Sequence, residues 1–358
     1  DMDILMMTNT FTPFVGGVSR SVTAFAEELR NMGHRVLIVA PEFENMPETE
    51  EDVIRVPAIQ HFNGSDFSLV LPVPGYLSAR LEKFEPDIIH SHHPYLLGGT
   101  AVRVASGFGC PLVFTYHTMY EHYLHYVPAH AKRMRQFVIN LVRGYCNLCD
   151  HVVAPSESVA EMIRERGVAV PMDVVPTGVY ADRFEEGDGK AFRRSHQIPE
   201  DAFVAGYVGR LAPEKNLSFL GEAVEQFVAG IPDAHFLVVG SGASKEQLLK
   251  VFGEQDKAER LHLVGSLEGE ELIDAYHAID AFVFASRTET QGMVLTEAMA
   301  AGKPVVAIDA PGIREVVRDG HNGRLIDSEK AEIFAEALRE IARASPEQRR
   351  AYSQAARA

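Results

Sequence analysis

The 358-residue sequence predicts an α/β protein built as two doubly wound, Rossmann-like domains. Three observations carry that expectation. The chain is longer than the roughly 250–300 residues at which a single core stops growing. Short apolar runs alternate with amphipathic helical patterns along nearly all of it, the order of a parallel sheet with crossover helices. The alternation breaks once, at Val175-Pro176-Thr177-Gly178-Val179 and the polar stretch Glu185 to Lys190, and then restarts. The expected division is a first domain over 1–175, a hinge, a second domain over 176–342, and a terminal helix over 343–358 whose return toward the first domain is open.

The first βαβ unit reads from the apolar run Asp3 to Thr8, through a Pro/Gly loop, into a stretch with Val22, Phe25, Ala26, Leu29 and Met32 on one helical face. Gly33 is placed as a helix stop, and Val36 to Ala40 is the next buried strand. Strands follow at Val53 to Val56, Asp87 to His90, Leu112 to Tyr116, His151 to Ala154 and Met172 to Val175. After the break they recur at Phe203 to Val208, His235 to Val239, Leu261 to Val264, Ala281 to Phe284, Pro304 to Ala307 and Arg324 to Ile326. The halves share a pattern but no sequence repeat.

Apolar residues make up 46% and charged residues 23%, which excludes a disordered chain. The net charge is −16, with 13 basic against 20 acidic residues before Tyr180 and 21 against 30 from it onward, so neither half offers a footprint for nucleic acid. No apolar run approaches the roughly 20 residues that span a bilayer, and the expected location is cytoplasmic, with the inner face of the membrane as an option. Cys110, Cys146 and Cys149 are too few for a disulfide framework. The C-x-x-C at Cys146 to Cys149 falls in a helical pattern and reads as buried structural thiols.

The strongest chemical signal is Ser286-Arg287-Thr288-Glu289-Thr290-Gln291-Gly292-Met293-Val294-Leu295-Thr296-Glu297, between a strand and an Ala-rich helix. Ligands of open α/β sheets bind at the carboxyl ends of strands, and the unbonded N–H groups of a helix start favour anions. Glu289 and Glu297 stand about two helical turns apart, and each can accept hydrogen bonds from sugar hydroxyls. A solvated loop charge and a satisfied helix residue would explain the two equally well. The second signal is Gly209-Arg210-Leu211-Ala212-Pro213-Glu214-Lys215-Asn216, directly after a strand. Arg210 can fork onto phosphate oxygens while Lys215 acts as a point charge, a pairing that suits a diphosphate leaving group; the plain alternative is two surface charges.

The third signal is Phe11-Thr12-Pro13-Phe14-Val15-Gly16-Gly17-Val18, where paired glycines let backbone approach a ligand at a helix start. It lacks G-x-G-x-x-G spacing, and Gly240-Ser241-Gly242-Ala243-Ser244-Lys245 has Lys at the third glycine, so a dinucleotide site is poorly supported. The fourth is a cluster of His90, His92 and His93 with Tyr116, His117, Tyr120, His122, Tyr123, His125 and Tyr126. Its spacings fit neither H-E-x-x-H nor H-x-x-E-H, which argues against zinc. His117 directly follows a strand and projects from the sheet's carboxyl edge, either into a site or as a satisfied loop histidine.

With these features in this order, the chain resembles the retaining glycosyltransferases of the GT-B fold, group 1 / family 4 type, over nearly its whole length. That family usually carries E-x-F-G ahead of the second Glu, whereas Gln291 stands in the aromatic position here. Thr288-Glu289-Thr290-Gln291-Gly292 and the loop Tyr116 to Tyr123 look like the diacylglycerol glucosyltransferase subgroup. The resemblance implies an acceptor domain and a nucleotide-sugar donor domain facing each other across a cleft. It implies that Gly16 and Gly17 line the donor phosphate and that Arg210 and Lys215 neutralise the departing diphosphate. Glu289 would bind hydroxyls of the transferred sugar, assisted by backbone N–H groups of Gly292, Met293 and Val294; Glu297 would hold the ribose and His117 would contact the 6-hydroxyl region. No metal or other cofactor is implied, because protein cations and a helix dipole supply the positive charge.

The partners expected are a nucleotide-sugar donor, with UDP-glucose the subgroup's implication, and a lipid or small-molecule acceptor. Transfer of a hexose with retention to a membrane lipid such as diacylglycerol leads; the same chemistry on a soluble acceptor, and an epimerase or non-catalytic binding subunit on the same fold, stay open. Met134, Phe137, Val138, Leu141 and Val142 share one helical face, with Lys132, Arg133, Arg135 and Arg143 away from it. That pattern suits a helix lying peripherally on an anionic membrane, or a stripe packed against the domain's own sheet.

Overall fold

A computed structural model describes the chain except residues 15, 61–67, 72–74, 118–119, 122–130, 177–180, 254 and 288–292, and the side chains of 131, 255 and 256. The chain divides into two compact units, Asp1–Thr177 and Gly178–Ala358.

The first unit carries β1 (Asp3–Met7), β2 (Arg35–Pro41), β3 (Val53–Val56), the short antiparallel pair β4 (Ala58–Ile59) and β5 (Leu69–Val70), then β6 (Ile88–Ser91), β7 (Leu112–Thr115), β8 (His151–Ala154) and β9 (Met172–Val174). Its helices are α1 (Gly17–Asn31), α2 (Ser78–Leu81), α3 (Leu97–Phe108), α4 (Ala131–Leu148) and α5 (Glu157–Glu165). Seven strands form a parallel sheet in the order β3-β2-β1-β6-β7-β8-β9. Alternation along β1 sends Leu5 and Met7 into one core and Ile4 and Met6 into another, so both faces of the sheet are covered. Val22 and Ala26 of α1 close one side; Ala101, Val142, Cys146 and Ile163, from α3, α4 and α5, close the other. α1 stops where expected, with Gly33 at φ +92.

The second unit repeats the plan with β10 (Phe203–Val208), β11 (Ala234–Val239), β12 (Leu261–Gly265), β13 (Ala281–Phe284), β14 (Val305–Ile308) and β15 (Gly323–Ile326). The helices are α6 (Gly189–Ser195), α7 (Leu217–Gly230), α8 (Lys245–Phe252), α9 (Gly269–His277), α10 (Met293–Ala300), α11 (Ala331–Arg343) and α12 (Pro346–Arg357). The six strands are parallel in the order β12-β11-β10-β13-β14-β15. α12 opens on a capping box between Ser345 and Gln348 and packs against α10. It thus belongs to the second unit.

Every strand read from the sequence is present, displaced by at most one residue at either end. The β4–β5 pair was not anticipated, because two residues are too few for a period-2 signal. In each sheet the strand order reverses once, between β1 and β6 and between β10 and β13. At such switch points the flanking loops leave in opposite directions and open a crevice at the carboxyl ends of the strands.

Candidate functional site

In the first unit the switch point is filled by histidines. His90 lies in the carboxyl-terminal half of β6, His92 and His93 follow its end, and His117 follows the neighbouring β7. The His90 and His92 rings stack at 4.1 Å between centroids, and His92 stacks on His117 at 5.1 Å. His92 Nδ1 and His117 Nε2 are 2.8 Å apart, so one ring donates and the other accepts. His90 Nε2 lies 2.6 Å from the Thr115 hydroxyl. The Asn9 amide donates to His93 Nδ1 at 3.0 Å, which makes that nitrogen an acceptor and leaves the ring proton on Nε2.

All four histidines are buried, and burial, which penalises charge without a counter-ion, lowers their pKa values: His90 to about 4, His93 to about 3, His92 and His117 well below the usual range. At neutral pH the cluster is a set of neutral hydrogen-bonding rings. Among the described residues no three His, Cys, Asp or Glu side chains are arranged to hold a metal ion.

Linkage follows. The unfolded chain takes up protons near pH 6.5 while the folded cluster does not, so stability is full above 6.5 and is lost as pH falls from there toward 4. Each histidine contributes about 1 kcal/mol of destabilisation by pH 5.5. Thermal unfolding should therefore show a melting temperature that drops steadily from pH 7 to 5, and His90→Gln should flatten that slope; equal slopes in both proteins would contradict the burial account.

Gly16 and Gly17 sit where expected, at the start of α1. Gly16 is extended and no side chain caps the helix; a Cβ on Gly17 would meet nothing within 4 Å, whereas one on Gly16 would lie 3.0 Å from the Phe14 ring. Asn9, which the sequence did not mark, ties the loops together: its side chain donates to the Tyr95 carbonyl and accepts from the Leu97 N–H, each at 3.0 Å. An Asn two residues beyond a strand end was the available signal. Glu121, in the tyrosine loop, is buried in a 2.6 Å ion pair with Arg166. His122, Tyr123, His125 and Tyr126 lie outside the described residues.

In the second unit Arg210 and Lys215 leave β10, next to the strand that leads to α10. Arg210 is half-buried, with Nη1 3.5 Å from the fully buried Glu214 carboxylate, and the Tyr207 hydroxyl donates to its carbonyl at 2.8 Å. Lys215 Nζ lies 5.9 Å from the centroid of the Phe284 ring. The Ser286 hydroxyl donates to the Glu214 carbonyl at 3.2 Å, tying the two loops that leave β10 and β13. Gly240, the first glycine of the incomplete dinucleotide pattern, has a packing role of its own. At φ +142, its Cβ would lie 1.8 Å from the Gly209 carbonyl oxygen, so the glycine serves close packing under the Arg210 loop.

Met293 and Val294 form the first turn of α10, and Glu297 lies one turn further in. Glu297 is fully buried, and the Tyr276 hydroxyl of α9 donates to its Oε2 at 2.7 Å. Glu289 and Gly292 lie outside the described residues. Each unit thus gathers its own candidates: Gly16, Gly17 and His117 in the first; Arg210, Lys215, Met293, Val294 and Glu297 in the second.

α4 splits the stripe read from the sequence. Val142 is buried and Val138 packs against the core, whereas Phe137, Leu141 and Leu148 are 58%, 45% and 66% exposed. Lys132, Arg133, Arg135 and Arg143 are exposed as well, and residues 131–149 contain no Asp or Glu. No described helix is long and apolar enough to cross a membrane.

Residues 15–183 match the family described as Glycosyltransferase Family 4, and 188–358 that described as Glycosyl transferases group 1. Alpha-monoglucosyldiacylglycerol synthase of Acholeplasma laidlawii is 29% identical over 342 residues, covering 90% of this chain and 84% of the relative. GDP-mannose-dependent alpha-mannosyltransferase of Mycobacterium tuberculosis is 30% identical over 330 residues, covering 90% and 83%. Sucrose-phosphate synthase of Thermosynechococcus elongatus superposes with a TM-score of 0.80 at 22% identity, covering 100% of this chain and 93% of that one. HepE of Anabaena, in complex with UDP-glucose, gives 0.77 at 18%, covering 100% and 94%. The fold shared with these structures is GT-B.

Proposed function

The chain belongs to the glycosyltransferases of family 4 and group 1, and from that premise we propose that it transfers glucose from UDP-glucose to diacylglycerol with retention at the anomeric carbon. The observation that carries the donor half is the placement of Arg210 and Lys215 at the end of β10, beside the loop into α10, at the strand-order switch point. Two cations and a helix start are what a departing nucleotide diphosphate needs.

The acceptor hydroxyl attacks C1 from the face the diphosphate leaves. The new C–O bond forms as the C1–O bond to phosphate breaks, and the hydroxyl proton passes to the leaving phosphate oxygen. Arg210 and Lys215 hold the developing charge with the N–H groups of Met293 and Val294, and Gly16 and Gly17 admit the phosphate to the start of α1. Glu289 and Gly292 hold the sugar. Glu297 takes the ribose, and its burial against Tyr276 adds a second task, fixing the first turns of α10 against α9. His117, neutral and locked to His92, contacts the 6-hydroxyl region without adding a charge. No step calls for a metal.

The lipid acceptor is supported by the diacylglycerol-directed relative and by α4. Its exposed Phe137, Leu141 and Leu148 can enter a bilayer surface while Lys132, Arg133, Arg135 and Arg143 meet anionic headgroups, each worth about 1 kcal/mol. Four such charges localise a protein whose net charge is −16.

Radiolabelled UDP-glucose supplied with anionic vesicles containing dioleoylglycerol should yield labelled α-glucolipid. The protein should sediment with these vesicles at low salt and far less with neutral ones, and changing Lys132, Arg133 and Arg135 to Ser should abolish sedimentation without lowering the melting temperature. Label only in a water-soluble product would move the reading to a soluble acceptor, and a preference for GDP-mannose would overturn the donor.

A further inference from the structure

A groove of about 850 Å³ opens in the first unit between α3 on one side and β5 and α2 on the other. We propose that it seats one acyl chain of the lipid acceptor, which deepens the diacylglycerol reading and rests on it. The lining is mainly apolar and includes Val70, Leu71, Leu77, Leu96, Val104 and Phe108. Among the described residues that line it, Glu82 and Arg103 are the only charged ones, and they carry opposite signs. A lining so largely apolar suits an uncharged chain better than a charged occupant. The volume lies in the roughly 300–1,000 Å³ range of small-molecule sites.

Leu71, Leu96 and Phe108 are 38%, 39% and 42% exposed, a cost in water that a hydrocarbon occupant would remove. The groove also starts at the candidate site. Leu96 and Leu97 follow His93 by three and four residues, and Asn9 holds both Tyr95 and Leu97 while its own amide holds His93. Leu96 has φ 54 and ψ −110, a conformation a leucine adopts only under constraint, and such strain gathers at ligand sites. A chain lying along α3 would thus have its polar end near the histidine cluster of the same unit.

A diacylglycerol with a diazirine at the end of one long acyl chain, photolysed with the wild-type protein in detergent micelles, tests this directly. Mass spectrometry should place the label on α3, α2 or β5, and excess unlabelled dioleoylglycerol should suppress it. Label on α4 alone, or no specific label, overturns the proposal whatever the protein's activity. Thr100→Trp and Val104→Trp, which fill the groove from α3, should raise KM for dioleoylglycerol by at least about tenfold, since losing burial of two methylenes already costs that much. KM for UDP-glucose, and turnover of a short-chain diacylglycerol, should stay unchanged. If wild type glucosylates dioleoylglycerol but label and KM ignore the groove, this inference falls alone. If no lipid is glucosylated yet label sits in the groove, the acceptor reading falls and the chain site stands.

Discussion

Lys215→Ala is expected to slow sugar transfer by at least about 100-fold, the scale for removing one preorganised charge from a developing anion, while its contact over the Phe284 ring costs at most about 1 kcal/mol of stability. Arg210→Ala should cost as much in rate but also destabilise the second unit, because it removes the cation 3.5 Å from the fully buried Glu214 carboxylate. Breaking a buried ion pair by removing one partner costs about 3 kcal/mol. The double variant Arg210→Ala/Glu214→Gln separates the two effects: its melting temperature should recover while its rate stays low. Steady-state kinetics and thermal unfolding on the three proteins suffice. Near-wild-type turnover in Lys215→Ala would remove the diphosphate assignment, and a stable Arg210→Ala would show that Glu214 does not depend on that arginine.

Gly98→Ala is expected to be among the most damaging small substitutions in the first unit. A Cβ there would lie 1.9 Å from the His93 carbonyl oxygen and 3.3 Å from the Tyr145 hydroxyl, which donates to the Gly98 carbonyl. Alanine is favoured over glycine in a helix by about 1 kcal/mol, but a backbone clash in a closed site costs about 3 kcal/mol or more. The clash should win, and it should displace the His93 loop, so transfer should fall together with stability. Gly107→Ala is the control on the same helix. Its Cβ meets nothing within 4 Å, and only the propensity term remains, so a gain of up to about 1 kcal/mol is expected. Denaturant melts giving the two variants the same sign would refute the packing argument.

Much of the scaffold was legible because its signals are local. Phe203 to Val208 is buried at all six positions, and an unbroken apolar run between turn residues is how a central parallel strand reads. Arg210, Lys215 and His117 could be placed at strand ends from the same boundaries. What could not be read depends on contacts remote in sequence. Asn9 meets His93 and Leu97 across more than eighty residues, and Tyr276 reaches Glu297 from another helix.

Burial of a charge is equally hidden: Glu214 stands between Arg210 and Lys215 with no mark of its own in the sequence, and only the fold reveals that its side chain is wholly enclosed. The α4 stripe illustrates a limit of periodicity itself. Phe137 and Val142 are five residues apart, about 140° around the helix, so one apolar arc can hold a flank that packs inward and a flank that faces out. The sequence could not assign the two flanks, because both are apolar and only the neighbouring sheet distinguishes them.

The placement of the cysteines makes the two halves chemically distinguishable. Cys110, Cys146 and Cys149 all belong to the first unit; Cys146 and Cys149 are buried, and burial raises both thiols, Cys146 to about 12. A thiol so held is almost wholly protonated and shielded, so it reacts with an alkylating reagent only when the surrounding helix opens. The second unit has its own core and no thiol at all. Iodoacetamide uptake at Cys146 and Cys149 therefore acts as a clock for the opening of the first unit alone, read without interference from the second.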